Sequence, residues 1–245
     1  MDGEEQDFVI EARKLRKDYG DVVAVRGVDL AIRRGELFGL LGPNGSGKTT
    51  IIRLLTGQVP PTSGSIRVMG IDAAASPVEA RTEIGIIPEQ ETPPSFLTAE
   101  EYLRFVGEIR HVGDIEEQCD WWFSFLDFDD ARTRLCKDLS RGTRQKLMVA
   151  QAFLHRPPLA LIDEPLINLD PVMQRRVKDF LMDYVSAGNT VFLSTHILAI
   201  AEEICTGIAI LNRGDILFTG SPAELRDRHE DLEGFFLSLV SGSGE

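Results

Sequence analysis

Residues Gly42–Thr49 read GPNGSGKT, a Gly-x-x-x-x-Gly-Lys-Thr run set between the apolar stretch LFGLL and TTIIRLLTG. A glycine-rich turn between a buried strand and a helix lets backbone N–H groups face inward on a phosphate, and the helix N-terminus adds partial positive charge. Lys48 then meets the β- and γ-phosphates of a nucleotide, and the Thr49 hydroxyl is placed to ligate Mg2+. About 110 residues further on, LALI delivers Asp163 and Glu164 to a strand's C-terminal end, where ligands of parallel sheets collect. Adjacent carboxylates there divide the work: Asp163 holds the Mg2+ shell, while Glu164, on the γ-phosphate side, polarises attacking water. Alone, such a pair is more often a solvated strand end; the phosphate loop upstream gives it meaning.

The elements that position these groups read as an α/β chain. Phe8–Ile10 running into EARKL, and Val22–Ile32, suggest short antiparallel strands broken by Gly20, Gly27 and Gly35. The strand–loop–helix unit around Lys48 ends at Pro60, Pro61 and Gly64, and SIRVMGI resumes a strand. From about residue 98 to 155 the pattern turns helical: Thr98 with Glu101 makes a capping-box signal before EYLRFVGEI, and Ile115–Leu126 carries a second apolar face. The core returns with LALI, a helix through MQRRVKDFLMDYV, the strand TVFLS, a helix over Leu198–Cys205, and the strands IAILN and DILFTG. Trp121, Phe125 and Phe128 fall near helical spacing and are expected in the core. GFFLSL, from Gly234 to Leu239, is either a terminal helix docked on the core or part of a dimer contact.

A chain of 245 residues, 43% hydrophobic, suffices for one domain with a subdomain. Its 26 basic and 39 acidic residues give a net charge of −13, which argues against broad contact with nucleic acid phosphates. Cys119, Cys136 and Cys205 are odd in number and lack a Cys-x-x-Cys, so neither a disulfide framework nor a zinc site is indicated. The acidic start MDGEEQD does not fit a signal peptide, and no apolar run approaches the roughly 18 residues that span a bilayer. A membrane role is therefore expected only through a partner.

In order and spacing, the sequence resembles the nucleotide-binding domain of ABC transporters over about residues 8 to 240. LSRGTRQKLMVAQAFLHRP, from Leu139, stands just before LALIDEP, where the family carries a signature similar to LSGGQ, and FLSTHIL places His196 where the family has its switch histidine. The resemblance implies a phosphate-loop, RecA-like α/β core with an antiparallel β subdomain and an inserted helical subdomain. It divides one domain, 1–245, into core (8–97 and 156–230), helical subdomain (98–155) and C-terminal tail (231–245). It implies ATP and Mg2+ as cofactors, with Glu164 and His196 catalytic. ATP would contact Tyr19, Gly42, Asn44, Gly45, Ser46, Gly47, Lys48, Thr49, Thr50, Glu89, Gln90, Ser140, Gly142 and Asp170, and Mg2+ would lie at Thr49, Asp163 and Glu89. Tyr19 stands where the family stacks adenine on an aromatic ring; the other reading is a half-buried strand tyrosine.

Three places depart from the pattern. Glu89 follows Pro88 where the family expects Gln, with Gln90 next, so either fills that role. Arg141 and Thr143 replace the usual Gly and Gln of the signature, although Ser140 and Gly142 remain. Ile167 and Asn168 replace small residues before Asp170. The segments after Pro88 and His196 and the final DLEGFFLSL resemble single-domain ATPases of drug-, sodium- or lipid-type exporters. That implies a transmembrane permease subunit, a second ATPase subunit forming a homodimer or heterodimer, no nucleic acid, and a peripheral place on the cytoplasmic face of the cell membrane. ABC ATPases of DNA repair or translation need a long coiled-coil insertion or a second cassette, for which the stretch between the two motifs leaves no room. A nucleotide-sensing subunit with little hydrolysis is the alternative that Arg141, Ile167 and Asn168 suggest; Lys48, Asp163, Glu164 and His196 weigh against it. His111, His155 and His229 are expected at the surface.

Overall fold

The structure, a computed structural model, describes residues 8–88, 93–224 and 232–242. Two sheets share the core. Strands β1 (Phe8–Tyr19) and β2 (Val22–Arg33) pair along their whole length and are joined by β4 (Ser63–Val68) and β5 (Ile71–Asp72) in the antiparallel order β2-β1-β4-β5. β2 runs through Gly27, which reads as a break, whereas Gly20 and Gly35 lie in the turns that end β1 and β2. The pairing steps from Leu15↔Val28 to Arg16↔Arg26, and from Ala12↔Leu30 to Leu15↔Val28. Gly27 and Lys14 are thus absorbed as bulges, which bend a strand without ending it.

The second sheet has the order β10-β9-β3-β8-β7-β6. It comprises β3 (Leu37–Leu41), β6 (Ile84–Ile87), β7 (Leu159–Asp163), β8 (Thr190–Thr195), β9 (Gly207–Asn212) and β10 (Asp215–Gly220). All neighbours are parallel except the edge pair of β9 and β10. β3, β7 and β8 are buried at every residue, which is why they read as unbroken apolar runs instead of alternating ones. On one face, α1 (Lys48–Leu55) and the antiparallel sheet enclose Phe38, Leu40, Leu161 and Phe192 with Ile10, Ile32, Ile51 and Leu54. On the other, α3 (Ala99–Ile109), α4 (Ile115–Phe125), α5 (Arg141–Phe153) and α6 (Pro171–Ser186) bury Ile162 and Leu193 with Phe123, Phe153 and Leu181. The short α2 (Pro77–Thr82), with proline in its first turn, precedes β6 and had no counterpart in the sequence reading.

Thr98 caps α3 as read: its side chain accepts from Glu101 N–H, and Glu101 accepts from Thr98 N–H at 2.8 Å. The aromatic expectation needs correction. Trp121 is 47% exposed and lies flat on Phe125, ring centroids 4.6 Å apart, while the inward face of α4 is Cys119, Trp122 and Phe123. Consecutive residues sit about 100° apart on a helix, so a one-residue shift of phase exchanged the two tryptophans. Phe128 is buried as expected, beyond the helix end. His155 is half-buried behind α5, not on the surface, whereas His111 is exposed and His229 lies outside the described residues. After His196, α7 (Leu198–Ile204) packs beside the last helix, α8 (Leu232–Gly242). Phe235, Phe236 and Leu239 of α8 dock on Leu41, Ala201, Ile208 and Ile210. Among the described residues no helix is long and apolar enough to cross a membrane.

Candidate functional site

The phosphate loop leaves the C-terminal end of β3 and is fastened from two sides. Ser46 N–H donates to Pro43 O at 3.2 Å, and Gly214 N–H, in the β9–β10 turn, donates to Ser46 O at 2.8 Å. Gly47 has φ 114°, and a Cβ there would stand 2.5 Å from Ala24 O of β2. Only glycine both adopts that backbone and admits the neighbouring strand. The loop is therefore pressed between two sheets before α1 begins. Lys48 is buried at 7% exposure, its ammonium donating to Gly42 O at 2.8 Å and Pro43 O at 3.2 Å. The cation thus arches back over the loop that precedes it.

The acidic strand end meets this loop. Asp163, 3% exposed, accepts from the Thr49 hydroxyl at 2.9 Å on Oδ2, and Oδ1 accepts from the Ser194 hydroxyl. β7 and β8 place Asp163 directly opposite Ser194. Glu164 turns the chain in the left-handed region, φ 49°, a costly conformation for a side-chain-bearing residue that recurs at functional sites. That turn brings its N–H to Ser194 O at 3.1 Å and its carboxylate to the end of β8. Oε2 accepts from Thr195 Oγ1 at 3.0 Å; Oε1 accepts from His196 N–H at 2.9 Å and lies 2.7 Å from His196 Nδ1.

These groups surround a cavity of about 740 Å³, within the range of small-molecule sites. Asn44, Gly45, Gly47, Lys48, Thr49, Thr50, Asp163, Glu164 and His196 all line it. Val22, Val23 and Ala24 form an apolar wall at the same cavity. An apolar wall beside a glycine-rich loop at a helix N-terminus, a lysine and two carboxylates that can hold a cation suits a molecule with a flat apolar part and a polyanionic tail. The Thr49 hydroxyl and Asp163 carboxylate are hard oxygen donors that fit Mg2+. Among the described residues no group of three or more His, Cys, Asp or Glu could hold a metal, so such an ion would complete its shell with phosphate oxygens and water.

The other expected site residues fall elsewhere. Gly42 and Ser46 belong to the loop but do not line the cavity. Tyr19 ends β1 opposite Val22, 42% exposed, with Lys17 Nζ 5.1 Å from its ring centre. It stands beside the apolar wall, outside the cavity. Ser140 caps α5 by accepting from Thr143 N–H at 3.1 Å, and a Cβ on Gly142 would meet Asn168 O at 2.8 Å; neither lines this chain's own cavity. Asp170 caps α6, and the Met173 and Val172 N–H groups hold its carboxyl below the ordinary range. Glu89 and Gln90 lie outside the described residues. The sequence reading missed Arg26, Gln145 and Arg213 as lining residues, and Ser194 and Thr195 as the groups that orient the two carboxylates. The signal for that pair was present: they directly precede His196 at the end of a buried strand.

Residues 25–167 match the family model described as ABC transporter. The Nod factor export ATP-binding protein I of Cupriavidus pinatubonensis is 34% identical over 221 residues, spanning 89% of this chain and 68% of that protein. A solved structure of an ATP-binding subunit of an ABC transporter superposes with a TM-score of 0.88 at 29% identity, covering 94% of this chain and 99% of that one. A dimeric post-hydrolysis structure of the ATP-binding cassette MJ0796, bound to ADP and Pi, shares the fold with a TM-score of 0.81 at 22% identity, covering 87% and 98%.

Proposed function

The chain belongs to the ABC transporter family of ATP-binding cassettes, and from that premise we propose that it hydrolyses ATP to power transport, in the export direction, through a separate membrane subunit. The observation that carries the reading is the Glu164 carboxylate, bonded to Thr195 and His196 and facing the cavity that Lys48 and Thr49 also line. The adenine would lie along Val22–Ala24 towards Tyr19, and the triphosphate along Asn44–Thr50, with Gly42 and Ser46 shaping the loop from beneath. Thr49 and Asp163, with Glu89 as the further ligand, would hold Mg2+, which when bound would supply neutralising charge at the phosphates.

Glu164 then accepts a proton from water as the water oxygen bonds to the γ-phosphorus. The bond to the β–γ bridging oxygen breaks and ADP leaves with that electron pair. Lys48 stabilises charge on the departing side, and His196 holds Glu164 towards the γ-phosphate. Ser140 and Gly142 would complete the site of a second subunit, with Asp170 holding the loop between them, and the segment from Ile86 to Leu97 would carry the nucleotide state to the permease at the cytoplasmic membrane face. The export direction is supported by the Cupriavidus relative, a Nod factor export ATP-binding protein.

Glu164→Gln is expected to retain ATP binding and lose at least about 10²-fold in steady-state turnover, the scale of a positioned proton acceptor. Lys48→Ala should instead lower ATP affinity. A wild-type rate in Glu164→Gln would remove Glu164 from its role; no turnover in the wild-type chain would favour the nucleotide-sensing subunit.

A further inference from the structure

We infer that Thr195 is a positioning residue for hydrolysis, whose hydroxyl selects Oε2 of Glu164 as the oxygen that takes the proton from water; this rests on the ATPase reading above. The two oxygens of the Glu164 carboxylate are unequally loaded. Oε1 receives the His196 backbone N–H at 2.9 Å and lies 2.7 Å from His196 Nδ1; an ionised carboxylate can only accept, so the tautomer that bonds it carries its proton on Nδ1, and both acceptor directions of Oε1 are then taken. Oε2 has one hydrogen bond among the described residues, from Thr195 Oγ1 at 3.0 Å, and so keeps a direction open.

The Thr195 hydroxyl is itself polarised. It accepts from Ile197 N–H at 3.1 Å, so its proton is directed to Glu164. Thr195 is 1% exposed and closes β8 next to Ser194, whose carbonyl receives the Glu164 N–H. The donor therefore sits on a rigid strand end, while the last torsion of a glutamate is broad and roughly two-fold. Without the hydroxyl, rotation about that torsion is opposed on one oxygen only, and the open acceptor direction is no longer fixed. Thr195 touches neither water nor phosphate in this account; it acts through Glu164.

Steady-state hydrolysis by the full chain with MgATP tests this. Thr195→Val keeps the shape and removes the hydroxyl; kcat should fall about 10-fold, the size of one hydrogen bond to a charged group, with KM for ATP changed less than about 2-fold. Thr195→Ser, which keeps the hydroxyl and loses the methyl, should stay within about 2-fold of the wild-type kcat. If Thr195→Val fails to fold, Thr195→Ser against Thr195→Ala makes the same comparison. Wild-type kcat in the hydroxyl-free variants overturns the inference. So does a loss that follows the methyl, or one that raises KM and lowers the melting temperature along with kcat, which marks a packing role. Absence of turnover in the wild-type chain sinks the ATPase reading instead, and is told apart by that control.

Discussion

Glu164 shows how a single residue can be placed against its own preference. A non-glycine residue at φ 49° costs about 1–3 kcal/mol, and here the turn is held by bonds from its amide and both carboxylate oxygens to the end of β8. His155 is a second residue out of its element. Burial, with the Arg110 guanidinium adding to it, pushes its pKa from 6.5 down to about 4. The unfolded chain then binds the proton more readily than the folded one between those values. Stability is intact above about pH 6.5 and falls as pH drops towards 4. His155→Gln should therefore lose less melting temperature than wild type between pH 7 and pH 4.5, measured by thermal unfolding; parallel curves would show that His155 does not contribute to the acid loss.

At the scale of elements, α3 depends on a reciprocal cap. Thr98 and Glu101 satisfy each other's backbone N–H groups, and that bonding lowers the Glu101 pKa. Thr98→Ala should cost about 1 kcal/mol, a fall of about 2–4 °C in melting temperature for a chain of this size. An unchanged melt would mean that α3 is held by packing alone. Helix α5 is tied to the sheet by two glutamines: Gln145 Nε2 donates to Pro165 O at 2.8 Å and Gln151 Nε2 to Ile86 O at 2.6 Å. Pro165 follows Glu164 directly, so movement of α5 bears on the segment that carries the proposed proton acceptor.

For the whole molecule, the arrangement of Ser140 and Gly142 matters most. Both sit at the start of α5, outside the cavity their own chain builds, which supports two chains closing two nucleotide sites between them. Glu164→Gln with ATP and Mg2+ should move from monomer to dimer on size-exclusion chromatography, and adding Ser140→Arg should block the shift. Ser140 also caps α5, so its loss should cost about 1 kcal/mol of stability, and the comparison belongs well below the melting temperature. A dimer of equal strength without nucleotide would contradict nucleotide-driven closure.

Features specified within a few neighbouring residues were legible in the amino-acid order alone. The phosphate loop, the apolar strand ending in Asp163 and Glu164, the Thr98 cap and the α/β order follow from spacing, because glycine turns, buried strands and helix caps are each specified within a few residues. The order and spacing of the signature and His196 also carried the family. Strand register and helical phase, by contrast, were settled by packing between distant segments. That Ser194 and Thr195 orient the two carboxylates follows from β8 lying beside β7 with Ser194 opposite Asp163, a pairing between strands far apart in the chain. Which of Trp121 and Trp122 faces the core was set by packing against Phe153 and Phe180, since adjacent aromatic residues leave the helical phase open. The length of β2 was decided across Gly27, which reads as a break, because cross-strand hydrogen bonding can absorb one extra residue as a bulge.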